Sequence, residues 1–190
     1  MEMLLGIFSA FGLSASAGLN AYIPLLVVGV IAHYFPATLK LSQPWDLIAN
    51  PWILILLGIL VIIEMVADKV PAVNHINDLI QTIIRPVAGA IAFAASAKVI
   101  TDVHPVLALA CGLLMAGGVH VVKAAALRPA VTVTTGGVGN VPVSIAEDLV
   151  AFFGSVFAIL LPIVMGTLLI VLLALVLWWL WRRTDKARTA

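Results

Sequence analysis

An all-α, polytopic integral membrane protein with about five transmembrane helices, the first and last broken or kinked, is the fold class this sequence predicts. Three observations predict it. Apolar residues make up 63% of the 190 and charged residues 10%, with a mean hydropathy of +1.20; a soluble globule of that composition would lack the polar surface to cover its core. Five stretches carry no charge: residues 3–32, 47–63, 86–97, 105–119 and 149–181. The chain then runs into "LWWLWRRTDKARTA", where Trp178, Trp179 and Trp181 precede Arg182, Arg183, Lys186 and Arg188. An aromatic belt followed by basic residues marks a cytoplasmic end. Residues 1–181 therefore read as one transmembrane domain and 182–190 as a basic cytoplasmic tail.

Each run makes its own prediction. The first exceeds the roughly 20 residues that cross a bilayer. Its small residues Ser14 to Ala17 mimic a signal cleavage site, but Glu2 is the only early charge, so a retained membrane segment is expected. Gly18, Asn20 and Pro24 fall within a few residues and predict a broken helix, which in a membrane tends to line a cavity. The second run opens with Asn50 and Pro51, and one further turn at its other end brings in Glu64. The third and fourth runs are too short to span unless they recruit Arg85, Lys98, His120 or Lys123. The last, at 1.5 Å per residue, would reach about 50 Å as one helix, so a kink near Pro162 and Gly166 is expected. A lone Asp, Lys or Arg at a helix centre costs about 2.5 to 3.5 kcal/mol on insertion, so several at membrane depth imply mutual pairing or a wet cavity.

Crossing parity supplies the pairing. Two crossings separate the loop after Ala67 from a loop after Lys123, so both lie on one face. The first carries Asp68, Lys69, His75, Asp78 and Arg85; the second carries Lys123, Arg128, Glu147 and Asp148. Acids and bases nearly balance, and the two groups are expected to close on each other. Glu64 and Asp68 are four apart, hence on one helix face, and His120 and Lys123 are three apart. Asn74, Asn77 or Asp78, Gln81 or Thr82, and Arg85 form a polar stripe at helical spacing. Gly136, Gly137 and Gly139, with Asn140, predict a segment that presents backbone groups to an ion or small solute, or else a plain turn. Ser144 and Glu147 have capping-box spacing and predict a helix start near Ile145.

Other chemistry is weakly supported. The net charge of +1 comes from scattered residues, which argues against nucleic acid. The one cysteine, Cys111, has no partner and offers neither disulfide nor metal framework. His33 and His104 flank loops and are expected at the interface. No H-E-x-x-H, His-Cys cluster or G-x-S-x-G occurs, so no metal, cofactor or catalytic residue is assigned and an enzyme is not expected.

Four segments carry a family resemblance: "GLNAYIPLL" (18–26), "EMVADKVPAVNHINDLIQTIIRPVAGA" (64–90), "KAAALRP" (123–129) and "GGVGNVPVSIAED" (136–148). Over roughly residues 10–155 the chain resembles an uncharacterised family of small bacterial inner-membrane proteins, domain of unknown function 4126. The resemblance implies a multi-helix membrane protein and supplies no activity. Where the pattern after D-K-x-P would carry an acid, this chain has Asn74.

The expectation is a small transporter or channel that moves an ion, proton or small solute past a shared site. That site comprises Glu64, Asp68, Lys69, Asp78, Arg85, Lys123, Arg128, Glu147, Asp148, Asn20 and His120. The short chain leaves little room for an enclosed pathway in one protomer, so a homo-oligomer in a bilayer is expected. The alternative is a non-transporting scaffold or lipid-associated factor whose charges only lock the helices.

Overall fold

The computed structural model describes residues 2–96 and 104–188, without the side chains of residues 2–3, 71–75, 78, 179–180 and 183–188. The described residues form eight α-helices: α1 (Glu2–Leu19), α2 (Tyr22–Tyr34), α3 (Pro51–Ala67), α4 (Pro71–Ser96), α5 (Pro105–Val122), α6 (Arg128–Thr135), α7 (Asn140–Leu160) and α8 (Pro162–Arg188). A 3-10 turn, Trp45–Ala49, precedes α3.

The predicted break in the first run is present. Asn20 separates α1 from α2, and its Oδ1 accepts from the Tyr22 and Ile23 amides at 3.2 and 3.1 Å. Those are two of the donors that a new helix leaves unpaired. Pro24 lies in the same first turn, where its missing N–H removes no intrahelical bond. At α3, Asn50 caps through the Trp52 amide and Pro51 occupies the first helical position.

Helix α1 is the hub, packed against α4, α5, α7 and α8. Small residues let the backbones approach closely, the membrane substitute for a hydrophobic driving force. Ser14 Oγ donates to the Gly112 carbonyl at 2.7 Å, and a Cβ on Gly112 would sit 2.5 Å from the Gly89 carbonyl oxygen. Ser14 lies beside Gly89, and Phe11 meets Phe93 edge-on at 5.0 Å, so α4 runs antiparallel to α1. Gly12 faces Ala158 and Gly154 faces Ser16, so α7 is antiparallel as well. Gly18 against Ala116 makes α5 parallel to α1. Leu13, Ala17, Ala88, Ala92, Ala116 and Ala158 belong to the core so formed.

Two expectations need correction. Lys123 is not followed by a loop: Lys123–Leu127 form a π-helical turn that carries α5 into α6 without interruption. Pro129 lies in the first turn of α6, and the wider π turn just before it accommodates a ring that an unbroken helix would resist. Helix α7 begins at Asn140, not near Ile145, so Ser144 is inside the helix and caps nothing. The interruption expected in the last run is present at Leu161, just before Pro162, and α8 continues through the backbone of the basic tail to Arg188.

Three described helices are long and apolar enough to cross a membrane: Leu79–Ser96, Pro105–Thr135 and Asn140–Leu160. Four shorter apolar helices, Leu4–Leu19, Tyr22–Tyr34, Pro51–Ala67 and Pro162–Trp178, accompany them. The short third and fourth runs did recruit Arg85, His120 and Lys123 into their helices; Lys98 lies outside the described residues. At the far end, the Arg182 guanidinium rests 5.0 Å from the Trp178 ring centre.

Candidate functional site

Side chains from α3, α4, α5, α6 and α7, with Asn20 between α1 and α2 and Lys123 of the π turn, meet at one level of the bundle. Helices α1, α3 and α5 end there, α2 starts there, α4 passes it at Arg85, and α7 passes it at Glu147 and Asp148. Beyond Arg128, α6 continues to Thr135 and the glycine turn.

Arg85, wholly buried on α4, is one centre of the network. Its Nε and Nη2 donate to Glu64 Oε1 at 3.1 and 3.0 Å, and Nη2 also reaches Asp68 Oδ2 at 3.2 Å. Glu64 accepts the Ala21 amide through both oxygens, at 3.2 and 3.0 Å, and so ties α3 to the buried start of α2. Arg85 Nη1 lies 3.2 Å from His120 Nδ1. A guanidinium can only donate, so this contact is a hydrogen bond when Nδ1 accepts; Nε2 lies 3.1 Å from Thr82 Oγ1.

Asp68 is the second centre. Its Oδ2 faces Arg85, Lys123 at 3.3 Å and Arg128 at 3.1 Å, while Oδ1 accepts from Asn77 Nδ2 at 2.6 Å. Lys123 Nζ bonds Glu147 Oε2 at 2.8 Å and the Leu19 carbonyl at 2.9 Å, which the end of α1 leaves open. Arg128 Nη2 reaches the same Glu147 oxygen at 3.4 Å. At the rim, Lys69 bridges to Asp148 Oδ2 at 2.8 Å, and Asn20 Nδ2 donates to Asp148 Oδ1 at 3.0 Å.

Among the described side chains four carboxylates thus meet four cations. Lys69, 25% exposed, touches solvent; the Glu64, Asp68, Arg85 and Lys123 side chains are at most 2% exposed. Removing one partner from such a buried array would strand its opposite charge, at a cost of about 3 to 5 kcal/mol.

Most of the predicted residues converge: Asn20, Glu64, Asp68, Lys69, Arg85, His120, Lys123, Arg128, Glu147 and Asp148. The side chains of Asp78, His75 and Asn74 lie outside the described residues. The glycine segment is a helix-to-helix turn. Gly136 and Gly137 adopt φ of +64° and +90°, and a Cβ on either would meet nothing within 4 Å. Its described side-chain bonds stay within the hairpin: Gly139 N to Thr135 Oγ1, and Asn140 Nδ2 to Thr132 Oγ1, both 2.9 Å.

Among the described residues four buried side-chain oxygens have no hydrogen-bond partner: Gln81 Oε1, Asn140 Oδ1, Ser144 Oγ and Glu147 Oε1. Sequence reasoning had placed Gln81 in the polar stripe and Ser144 in a cap, without seeing either as an open acceptor. The available signal was spacing: Gln81 is one turn from Arg85, and Ser144 one turn from Glu147. Among the described residues no group of three His, Cys, Asp or Glu is placed to hold a metal ion. A separate apolar cavity of about 320 Å³ opens between α1, α5 and α8, beside Phe8, Phe11, Met115 and Leu169.

The family model described as Domain of unknown function (DUF4126) matches residues 7–183, well past the stretch carried by the four segments, and the chain belongs to that family. No curated protein and no solved structure matches it.

Proposed function

We propose that this member of the DUF4126 family is a small transporter of the bacterial inner membrane, with its C-terminus in the cytoplasm, that passes an ion, proton or small solute by way of the Glu64–Asp68–Arg85–Lys123–Arg128–Glu147 network. The observation that carries the reading is a buried helix break at Asn20 whose Ala21 amide and Leu19 carbonyl are held by Glu64 and Lys123 of a buried ion-pair network. Broken helices meeting charges at membrane depth are how secondary transporters build their sites.

The balance of charge suggests the mechanism. A proton on Glu147 would cancel the carboxylate that faces Lys123 and Arg128, leaving a buried cation short of a partner. An anion entering with the proton, or a cation leaving, restores neutrality, so protonation and solute occupancy are coupled. Protomers pairing in the bilayer would complete the pathway that one short chain cannot enclose.

A second reading, a scaffold or lipid-associated factor, draws support from the dryness of the ion pairs. Glu147 Oε1, a buried oxygen of that network with no hydrogen-bond partner, argues the other way, since a purely structural network gains nothing from an unpaired buried oxygen. Ion and proton flux into liposomes containing the purified chain decides between them. Wild type should conduct under some gradient, and Asp68→Asn and Arg128→Gln should reduce flux at least tenfold while remaining folded. Wild type silent under every gradient leaves the scaffold.

A further inference from the structure

The cleft between α1, α5 and α8 lies apart from the ion pairs and encloses about 320 Å³ of open space. Its walls are Ile, Leu, Phe, Met and Gly only, with Phe8 and Phe11 from α1, Met115 from α5, and Gly166, Leu169 and Leu173 from α8. Helix α8 packs against α1 and α7, and the cleft separates it from Met115. It is tied in near its start, where Gly166 lies so close to Phe8 that a Cβ there would run into the ring. From Thr167 to Trp178, Leu169 is half-buried and every other side chain is exposed. The stretch of α8 along the cleft therefore has little protein to pack on.

Depth points to what lies beside it. Leu173 stands five residues and Gly166 twelve residues before Trp178. At 1.5 Å per residue the cleft extends from about 8 to about 18 Å inside the level of that ring. Trp178, with the Arg182 guanidinium 5.0 Å from its ring centre, has the chemistry of a head-group boundary, an aromatic ring backed by a basic residue. A hydrocarbon core of about 30 Å gives each leaflet about 15 Å, so the cleft sits where the distal half of an acyl chain runs.

We propose that the α1–α5–α8 cleft binds one acyl chain of a membrane phospholipid, with the far half of the chain between Phe11, Met115 and Leu169 and the head group at the level of Trp178 and Arg182. Size selects this occupant. An apolar cavity of about 150 Å³ takes one benzene, so a cleft about twice as large holds roughly a dozen chain carbons. Water gains nothing there, because no wall offers it a hydrogen bond and apolar cavities stay dry. A helix from a second copy is too thick: at a diameter of about 10 to 12 Å, even 10 Å of helix needs on the order of 800 Å³. Left empty, the cleft would forfeit dispersion contacts along both walls, and within a bilayer packing of that kind is what holds helices together. The bound chain completes the seat of α8. This inference stands independently of the transport reading.

Photolabelling tests it. The full chain is reconstituted in vesicles of phosphatidylethanolamine and phosphatidylglycerol containing a trace of phosphatidylcholine that carries a diazirine either at the chain end or beside the carbonyl, and labelled residues are mapped by mass spectrometry. The chain-end probe should label Phe11, Met115 and Leu169 at least fivefold more than Leu114 and Leu168, which are exposed on the same helices. The carbonyl-side probe should show no such preference. Filling the cleft with Met115→Trp and Leu169→Trp together should bring labelling of Phe11 down to the control level, and Leu168→Trp should leave it unchanged. Equal labelling of cleft and control residues overturns the proposal, as does Phe11 labelling that survives the filled variant. So does a cleft shielded from both probes in chains that cross-link as dimers, which would give the site to a second copy. Should the double variant not fold, wild type decides alone: native mass spectrometry after transfer to detergent should find phospholipid retained on the chain, and bare chains overturn the proposal.

Discussion

Arg85→Met is the perturbation that most directly tests whether the network is held by charge. Methionine keeps much of the aliphatic bulk and deletes the guanidinium, so packing on α4 is little disturbed. Three hydrogen bonds to carboxylates vanish, but unevenly. Asp68 keeps Lys123, Arg128 and Asn77. Glu64, 1% exposed, is left among the described residues with the Ala21 amide alone. The loss therefore falls on one uncompensated buried carboxylate, and the expected destabilisation is about 3 to 5 kcal/mol, a large share of the stability of an ordinary domain.

The companion variant fixes the cause. Glu64→Met in the Arg85→Met background removes the stranded charge, and replacing both members of a buried pair by apolar groups is often close to neutral. The double variant should thus be more stable than Arg85→Met alone by about 2 kcal/mol, or about 30-fold in the unfolding constant. Reversible unfolding in mixed detergent micelles, following helix content, measures all three proteins. An Arg85→Met cost under about 1 kcal/mol, or a double variant no better than the single one, would refute the claim that the network's energetics are electrostatic.

Three further outcomes follow from the same geometry. Asn20→Ala removes the single oxygen that accepts from two amides at the start of α2 and the donor to Asp148, and should cost about 1 to 2 kcal/mol in the same assay; an unchanged midpoint would mean the break is held by other groups. Gly112→Ala places a methyl 2.5 Å from the Gly89 carbonyl oxygen and 2.7 Å from Ala90 Cα, so about 1 to 3 kcal/mol should be lost to overpacking between α4 and α5. Gly118→Ala, four Å clear of every neighbour, should instead gain about 0.5 to 1 kcal/mol from helix propensity, and a loss there would show that the face is occupied in the membrane.

How much of this was legible in the sequence depends on which physical rule governs each stretch. The break at Asn20 was legible because Gly18, Asn20 and Pro24 act locally, and the pairing of Asp68 with Lys123 and Arg128 because charges in an apolar medium must find each other whatever the route of the chain. The end of α5 was not. Lys123 and Arg128 read as a loop only if a charge terminates a membrane helix, and here each charge is satisfied from neighbouring helices, so nothing stops the helix until Gly136 and Gly137 supply positive φ. Ser144 and Glu147 fail for a related reason. Their spacing does mark helix starts in water, where the cap's hydroxyl and carboxylate satisfy free amides. Inside this hairpin the turn around Thr135 and Gly139 already serves that end, and the same two residues are turned inward with oxygens unspent. A local signature was thus present at the right residues with the wrong meaning, because the partner it would have served had been supplied by tertiary structure. Five helices' worth of apolar sequence likewise became three long helices and four shorter ones, since hydropathy reports which residues avoid water but not where Asn20 and Leu161 let the backbone turn.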